Sequence, residues 1–177
     1  MNKQNGGKPL RPHGGPTLDS RLPSSGGGSK LDRARDISSS PLTVLHVDDD
    51  SNDTVLLQAA ARKAGAGFNL LNVSDGEQAM AYLNGLGAYA DRARYPLPAL
   101  ILLDLKMPRL TGFEILKWIR QQPNLGKIPV LVLSGSQMQE DMQQAYAGGA
   151  NSYFIKPLGF ESLVGLIQDI DTAWLPG

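Results

Sequence analysis

Polar side chains follow four of the short apolar runs in this 177-residue chain, each at the point where the run ends. Asp48-Asp49-Asp50 follows the first run, Asp104 the third, Ser134 the fourth and Lys156 the fifth. A carboxylate can attack phosphorus, and neighbouring carboxylates can bind a divalent cation. A hydroxyl and an ammonium group can bind the remaining phosphoryl oxygens. The residue types therefore fit phosphoryl transfer to a carboxylate, provided that the fold brings them together.

The apolar runs are rich in Val, Ile, Leu and Phe at nearly every position, which is typical of strands covered on both faces of a parallel sheet. The predicted strands are Thr43–Val47, Phe68–Val73, Ala99–Leu103, Pro129–Leu133 and Ser152–Ile155. Their ends are 26, 30, 30 and 22 residues apart, about one strand–helix unit each.

Helical periodicity separates the strands. Apolar residues recur at i, i+3, i+4 and i+7, as in Leu57, Ala60, Ala61 and Ala64. The segment Gln137–Ala147 has only a weak apolar stripe, which predicts a loosely packed surface helix. Together the elements predict an α/β fold: a doubly wound five-stranded parallel sheet of order 2-1-3-4-5 in a flavodoxin-like three-layer sandwich.

In this strand order the first and third strands are neighbours, so Asp48, Asp49 and Asp104 should lie within a few ångströms. Such carboxylates repel one another unless a cation is present, and an all-oxygen acidic site suits Mg²⁺ or Mn²⁺. Asp104 is the best candidate nucleophile because it ends the central strand. Asp50 and Asp53, each taken alone, are more typical of a helix N-cap or a solvated turn.

Composition divides the chain into two regions. Residues 1–41 contain 7 Gly, 5 Pro, 7 Ser and no aromatic residue, which predicts a disordered N-terminal extension, and residues 42–177 are predicted to form the folded domain. The extension has 7 basic and 3 acidic residues, although the whole chain has no net charge. We expect no DNA binding and no membrane insertion, and the absence of cysteine favours a cytoplasmic location.

In these residues and their order, the chain resembles the receiver domain of bacterial two-component response regulators. The resemblance covers roughly residues 42–173, and four motifs occur in order. They are Val47-Asp48-Asp49, Leu103-Asp104-Leu105-Lys106-Met107-Pro108 with Gly112, Leu133-Ser134-Gly135, and Tyr153-Phe154-Ile155-Lys156-Pro157.

The resemblance implies a role for each matched residue. Asp104 would be the phosphoacceptor, and Mg²⁺ (or Mn²⁺) would be held by Asp104, Asp49, the backbone carbonyl of Lys106 and, through water, Asp48. The other implied roles are switch hydroxyl for Ser134, phosphoryl partner for Lys156, aromatic switch for Tyr153 and a cis peptide bond before Pro157. The long connection Gly87–Pro98 resembles that of single-domain, phytochrome-associated regulators.

The function expected from this resemblance is a phosphorylation-dependent signalling switch, not an enzyme that turns over external substrates. The phosphoryl donor would be a sensor histidine kinase or a phosphotransfer protein. Little sequence follows the receiver region, so we expect output through contact with a downstream protein, or through a homodimer formed by the fourth helix, fifth strand and fifth helix.

Three other functions share the fold or part of the site. The first alternative is an intermediate phosphorelay carrier. A flavodoxin-like nucleotide binder is disfavoured because Asp48-Asp49-Asp50 stands where a flavin phosphate would bind. An aspartyl-phosphate phosphatase is disfavoured because Lys106 occupies the place of its general acid. His46, inside the first strand, is expected to be a buried core residue rather than a ligand.

Overall fold

The structure is a computed structural model that describes residues 41–175. Five strands form one sheet of order β2-β1-β3-β4-β5, and every neighbouring pair is parallel. The strands are β1 Leu42–Val47, β2 Phe68–Val73, β3 Leu100–Leu103, β4 Val130–Ser134 and β5 Ser152–Ile155. The predicted fold class and strand order are therefore confirmed. The extension predicted over residues 1–41 lies outside the described residues, apart from Pro41.

The helices lie on both faces of the sheet. They are α1 Ser51–Ala64, α2 Gly76–Asn84, α3 Gly112–Gln121, α4 Gln139–Ala147 and α5 Phe160–Trp174. Helices α1 and α5 pack on one face, over Val44 and Leu102. Helices α2 and α3 pack on the other face, over Leu45 and Ile101. The central strands β3 and β4 are buried along their whole length, as expected for strands covered on both faces. The edge strands β2 and β5 are only partly buried, and β2 contains Asn69 and Asn72.

The strand registers bring the carboxyl ends to one edge of the sheet. Val47 pairs with Val73 on one side and with Leu103 on the other. Ser134 is the last residue of β4, one position beyond the predicted strand end, and pairs with Ile155. The residues that follow these strands therefore emerge side by side.

Helix α4 is the least well anchored of the helices. It begins at Gln139, two residues later than predicted, and no side chain caps its N-terminus. Ala145 is its one buried residue. The weak packing expected from the sequence is confirmed.

The connection between α2 and β3 is ordered by aromatic side chains. The Tyr82 ring lies 5.2 Å from the Tyr89 ring and 6.1 Å from the Tyr95 ring, measured between centroids. The Tyr82 hydroxyl donates a hydrogen bond to the carbonyl of Pro96 at 2.8 Å. Arg92 donates to the carbonyls of Tyr82 and Leu83 at the end of α2, at 2.8 and 2.7 Å. These contacts fix the long connection, which includes a short 3₁₀ helix at Gly87–Tyr89.

Between residues 41 and 175, no helix combines the length and apolar character needed to cross a bilayer.

The loop from Asp104 to α3 depends on a close backbone approach at Gly112. Its N–H donates to the carbonyl of Leu105 at 3.0 Å. A Cβ at this position would overlap the carbonyl oxygen of Asp104 and lie 2.7 Å from the Cα of Leu105. Glycine is required here because the obstructing atoms belong to the backbone and cannot rotate away.

Replacing Gly112 by Ala should therefore lower the free energy of unfolding by about 2 kcal/mol, as expected when a methyl group is forced into a filled space. Urea unfolding followed by circular dichroism measures this. Gly165→Ala is the matched control, because Gly165 lies within α5 and nothing would meet its added Cβ within 4 Å. The control should be neutral or more stable by up to about 1 kcal/mol. Equal stabilities of the two variants would contradict the steric argument.

Candidate functional site

Three predicted carboxylates meet at the carboxyl edge of the sheet. Oxygen atoms of Asp48, Asp49 and Asp104 all lie within 4.8 Å of one another. The backbone N–H of Asp48 bonds to Val73 and that of Asp104 to Val47, so the sheet hydrogen bonding continues through both residues. Asp48 and Asp104 are buried, whereas Asp49 is exposed. The predicted convergence is confirmed.

Asp48 is held on both of its carboxylate oxygens. Oδ1 accepts the N–H of Asp50 at 2.9 Å, and Oδ2 accepts the ammonium of Lys156 at 2.8 Å. His46 Nε2 also lies 3.4 Å from Oδ2, outside good hydrogen-bond geometry. Burial raises the pKa of Asp48, but the nearby His46, Lys156 and Asp50 groups outweigh it and lower that pKa to about 2. The folded protein therefore keeps this carboxyl ionised.

The pKa of Asp104 is shifted in the opposite direction, upward. Burial raises the pKa of its carboxyl, and the negative charge of Asp48 adds to the effect. The N–H of Lys106 donates to Asp104 Oδ2 at 3.2 Å, and the Lys156 ammonium lies 3.7 Å from Oδ1. These two groups do not offset the burial, and the pKa stays above its ordinary value. A carboxylate with few strong partners in a buried site is suited to act as a nucleophile.

Lys156 contacts Asp53, a carboxylate to which the sequence assigned no role in the site. Its Nζ is 2.7 Å from Asp53 Oδ2 and 2.8 Å from Asp48 Oδ2, both closer than Asp104. Burial lowers the pKa of Lys156, but the two hydrogen-bonded carboxylates raise it overall. The expectation of a cap or solvated turn is confirmed for Asp50, whose carboxylate accepts the N–H groups of Asn52 and Asp53 at the start of α1. For Asp53 it was wrong, because that residue pairs with Lys156.

Ser134 and Tyr153 both contact the loop between β4 and α4. Ser134 is fully buried, and its Oγ accepts the N–H of Ser136 at 3.3 Å. The Tyr153 hydroxyl donates to the carbonyl of Ser136 at 2.9 Å, and its ring packs partly buried near Leu105. Ser136 in turn hydrogen-bonds to Asp141 in the first turn of α4. The two predicted switch residues thus meet at one loop.

The peptide bond before Pro157 is trans, so the expected cis bond is a wrong prediction. The trans form is the one that bonds preceding proline favour, by about 0.5–1 kcal/mol. With this bond trans, the Lys156 side chain still reaches Asp48.

Two further sequence expectations concern Lys106 and His46. The side chain of Lys106 is largely exposed, and its Nζ lies 4.0 Å from Asp141. His46 is a buried strand residue, as predicted, and lines a cavity of about 40 Å³ beside Lys156. Neither ring nitrogen of His46 has a hydrogen-bond partner.

Comparisons with known proteins agree on one family. Residues 44–168 match the model of the response regulator receiver domain. The chain is 36% identical over 140 residues to the response regulator Rcp1 of Synechocystis. The matched region spans 79% of this chain and 93% of that protein.

Solved structures give the same result. The chain is similar to response regulator RPA3017 of R. palustris red light signalling, with a TM-score of 0.72 and 35% identity over 76% of this chain and 94% of that one. It is also similar to the phosphorylated cyanobacterial phytochrome response regulator RcpA, with a TM-score of 0.70 and 34% identity over 77% and 95% of the two chains. Rcp1 itself has been solved in a Mn²⁺-bound form.

The opposite pKa shifts of Asp48 and Asp104 predict opposite effects of neutralising them. In metal-free buffer at pH 7, Asp104→Asn should raise the free energy of unfolding, because the folded protein ionises this carboxyl less readily than the unfolded chain does. Asp48→Asn should lower it, because the folded protein stabilises the ionised form.

Both differences depend on pH in a defined way. The gain from Asp104→Asn should vanish as the pH falls below the ordinary aspartate value of 3.8, where the carboxyl is protonated in both states. The loss from Asp48→Asn should disappear between 3.8 and about 2. Denaturant melts at a series of pH values measure this, and effects of the same sign for both variants would contradict the assignment.

Proposed function

Because the chain belongs to the response regulator receiver family, we propose that it is a signalling switch in which Asp104 accepts the phosphoryl group. The family and its phosphorylated relative support a phosphorylation-dependent switch in general. The observation that carries the assignment to Asp104 is its position. It ends the central strand, is buried, and lies within 4.8 Å of two other carboxylates and 3.7 Å from Lys156.

The proposed reaction is transfer from a phosphohistidine of a sensor kinase or a phosphotransfer protein. A carboxylate oxygen of Asp104 bonds to phosphorus, the P–N bond breaks, and its electron pair returns to the imidazole of the donor. The product is an aspartyl phosphate. Lys156, the nearest ammonium, can then pair with a phosphoryl oxygen.

The acidic cluster fits a divalent cation. Its ligands are hard oxygens, and three carboxylates that close need more positive charge than Lys156 provides. We assign Asp48, Asp49, Asp104 and the backbone carbonyl of Lys106 as the groups that would hold Mg²⁺ or Mn²⁺, with Asp48 acting through water. Such an ion would supply positive charge to the incoming phosphoryl oxygens.

The switch itself would pass through the loop that follows β4. A phosphoryl oxygen on Asp104 would draw the Ser134 hydroxyl away from the N–H of Ser136. Because the Tyr153 hydroxyl and Asp141 both bond to Ser136, the loop would carry the change to Tyr153 and to the weakly packed α4. As the aromatic switch, Tyr153 would then rotate further inward, and its ring is already partly buried in this structure.

The surface that changes would bind a protein partner or a second copy of the chain. It is formed by α4, β5 and α5, and it already exposes large apolar side chains. They are Met138, Tyr146, Ile155 and Phe160. Moving the active fraction from about 10% to 90% needs about 2.6 kcal/mol, within reach of one or two charge-assisted hydrogen bonds.

Incubation with acetyl phosphate and Mg²⁺ or Mn²⁺ should add one phosphoryl group, detected by intact-mass spectrometry. Asp104→Asn should abolish the label, because it removes the attacking oxygen while keeping the shape of the side chain. Chelation of the metal should abolish it too.

Asp49→Ala should weaken metal binding, so that much more Mg²⁺ is needed to reach the same labelling rate. Asp50→Asn is its matched control, since Asp50 lies next in the chain but caps α1 instead of joining the cluster.

A label that persists in Asp104→Asn would overturn the phosphoacceptor assignment.

Ser134→Ala should still be phosphorylated but should lose the structural response. Without the hydroxyl, no contact draws the loop toward the phosphoryl group. NMR spectra with and without acetyl phosphate should then show smaller amide shift changes from Met138 to Tyr153 than in the wild type. A full response in the phosphorylated variant would show that the signal takes another route.

A further inference from the structure

Lys156 lies among three carboxylates but does not bind them equally. Its Nζ is within hydrogen-bond distance of Asp53 and Asp48, at 2.7 and 2.8 Å. The distance to Asp104 Oδ1 is 3.7 Å, too long for a hydrogen bond. The ammonium is therefore displaced toward α1, away from the residue that would carry the phosphoryl group.

Asp53 is well placed to cause this displacement. It lies in the first turn of α1, where its N–H is bound by the cap residue Asp50 at 3.3 Å. This bond holds the backbone of Asp53 at the start of the helix, from which its carboxylate reaches Lys156. The Asp53 carboxylate does not belong to the group of Asp48, Asp49 and Asp104, whose oxygens lie within 4.8 Å of one another. It contacts Lys156 from the side of α1.

From this geometry we infer that Asp53 is a positioning residue: it holds the Lys156 ammonium away from Asp104 until a phosphoryl group is present. The inference rests on the function proposed above and names Asp53 as the residue that positions Lys156 before phosphorylation.

The two contacts of Lys156 differ in how easily they are given up. Asp48 is buried, and separating it from Lys156 would leave an uncompensated charge inside the protein. Asp53 is 38% exposed, so water can replace the ammonium when that pair separates. A Lys156 that moves to a phosphoryl oxygen would therefore leave Asp53 and keep Asp48.

Removing the Asp53 charge should consequently favour the phosphorylated arrangement. In the presence of Mg²⁺, beryllium trifluoride is a suitable probe, because this anion becomes tetrahedral when it bonds to a carboxylate oxygen and then has the shape of a bound phosphoryl group. Asp53→Asn should bind it about threefold to fivefold more tightly than the wild type, the effect of losing one partly exposed ion pair. Fluorine NMR titration measures the affinity.

Two further variants separate positioning from a general charge effect. Asp50→Asn removes a neighbouring exposed charge that does not contact Lys156, and Asn remains a good helix cap. Its affinity should stay within about twofold of the wild type. Asp53→Glu restores a carboxylate and should return the affinity toward the wild-type value.

The outcomes test this inference separately from the proposed function. If the wild type binds the probe, and Asp53→Asn binds it no more tightly than Asp50→Asn does, Asp53 does not position Lys156. If the wild type neither binds the probe nor is labelled by acetyl phosphate at Asp104, the proposed function fails as well.

Discussion

Mutual repulsion among carboxylates is the constraint around which this edge of the sheet is built. Oxygen atoms of Asp48, Asp49 and Asp104 lie within 4.8 Å of one another, and the backbones of Asp48 and Asp104 continue the sheet hydrogen bonding. The backbones of Asp48 and Asp104 cannot move apart without breaking that bonding. The structure offsets the repulsion with Lys156 and leaves Asp104 with a raised pKa. A site with more negative charge than its own cation can balance favours the binding of further cations.

The sequence predicted the fold well because the buried strands of a parallel sheet are recognisable as short runs of consecutive apolar residues. A strand buried on both faces is apolar at nearly every position, as in β3, and even the partly exposed strands β2 and β5 begin and end at the predicted residues. Since parallel strands end at the same edge, residues placed directly after them, such as Asp48 and Asp104, could be grouped from the order of the strands alone. The site residues that depend only on the backbone were therefore predictable.

Features that depend on how far a side chain reaches could not be predicted from the sequence. Asp53 belongs to a helix, and its spacing gives no sign that it points back toward the end of β5. The trans bond before Pro157 reflects a small energy difference that a motif cannot reveal. The position of the Tyr153 ring depends on the conformation of the loop at Ser136. The sequence thus predicted which groups lie together, whereas their partners had to be observed.

The aromatic cluster between α2 and β3 links a core residue to a surface connection. Tyr82 is buried with the side chains of α3, and its hydroxyl donates a hydrogen bond to the carbonyl of Pro96 in the connection. Arg92, also in the connection, donates to the carbonyl of Tyr82 at the end of α2. A change that shortened this connection would leave a buried hydroxyl without a partner. Evolution of the surface segment is therefore tied to position 82 in the core: a descendant that lost the segment would be under pressure to replace the tyrosine with phenylalanine or leucine.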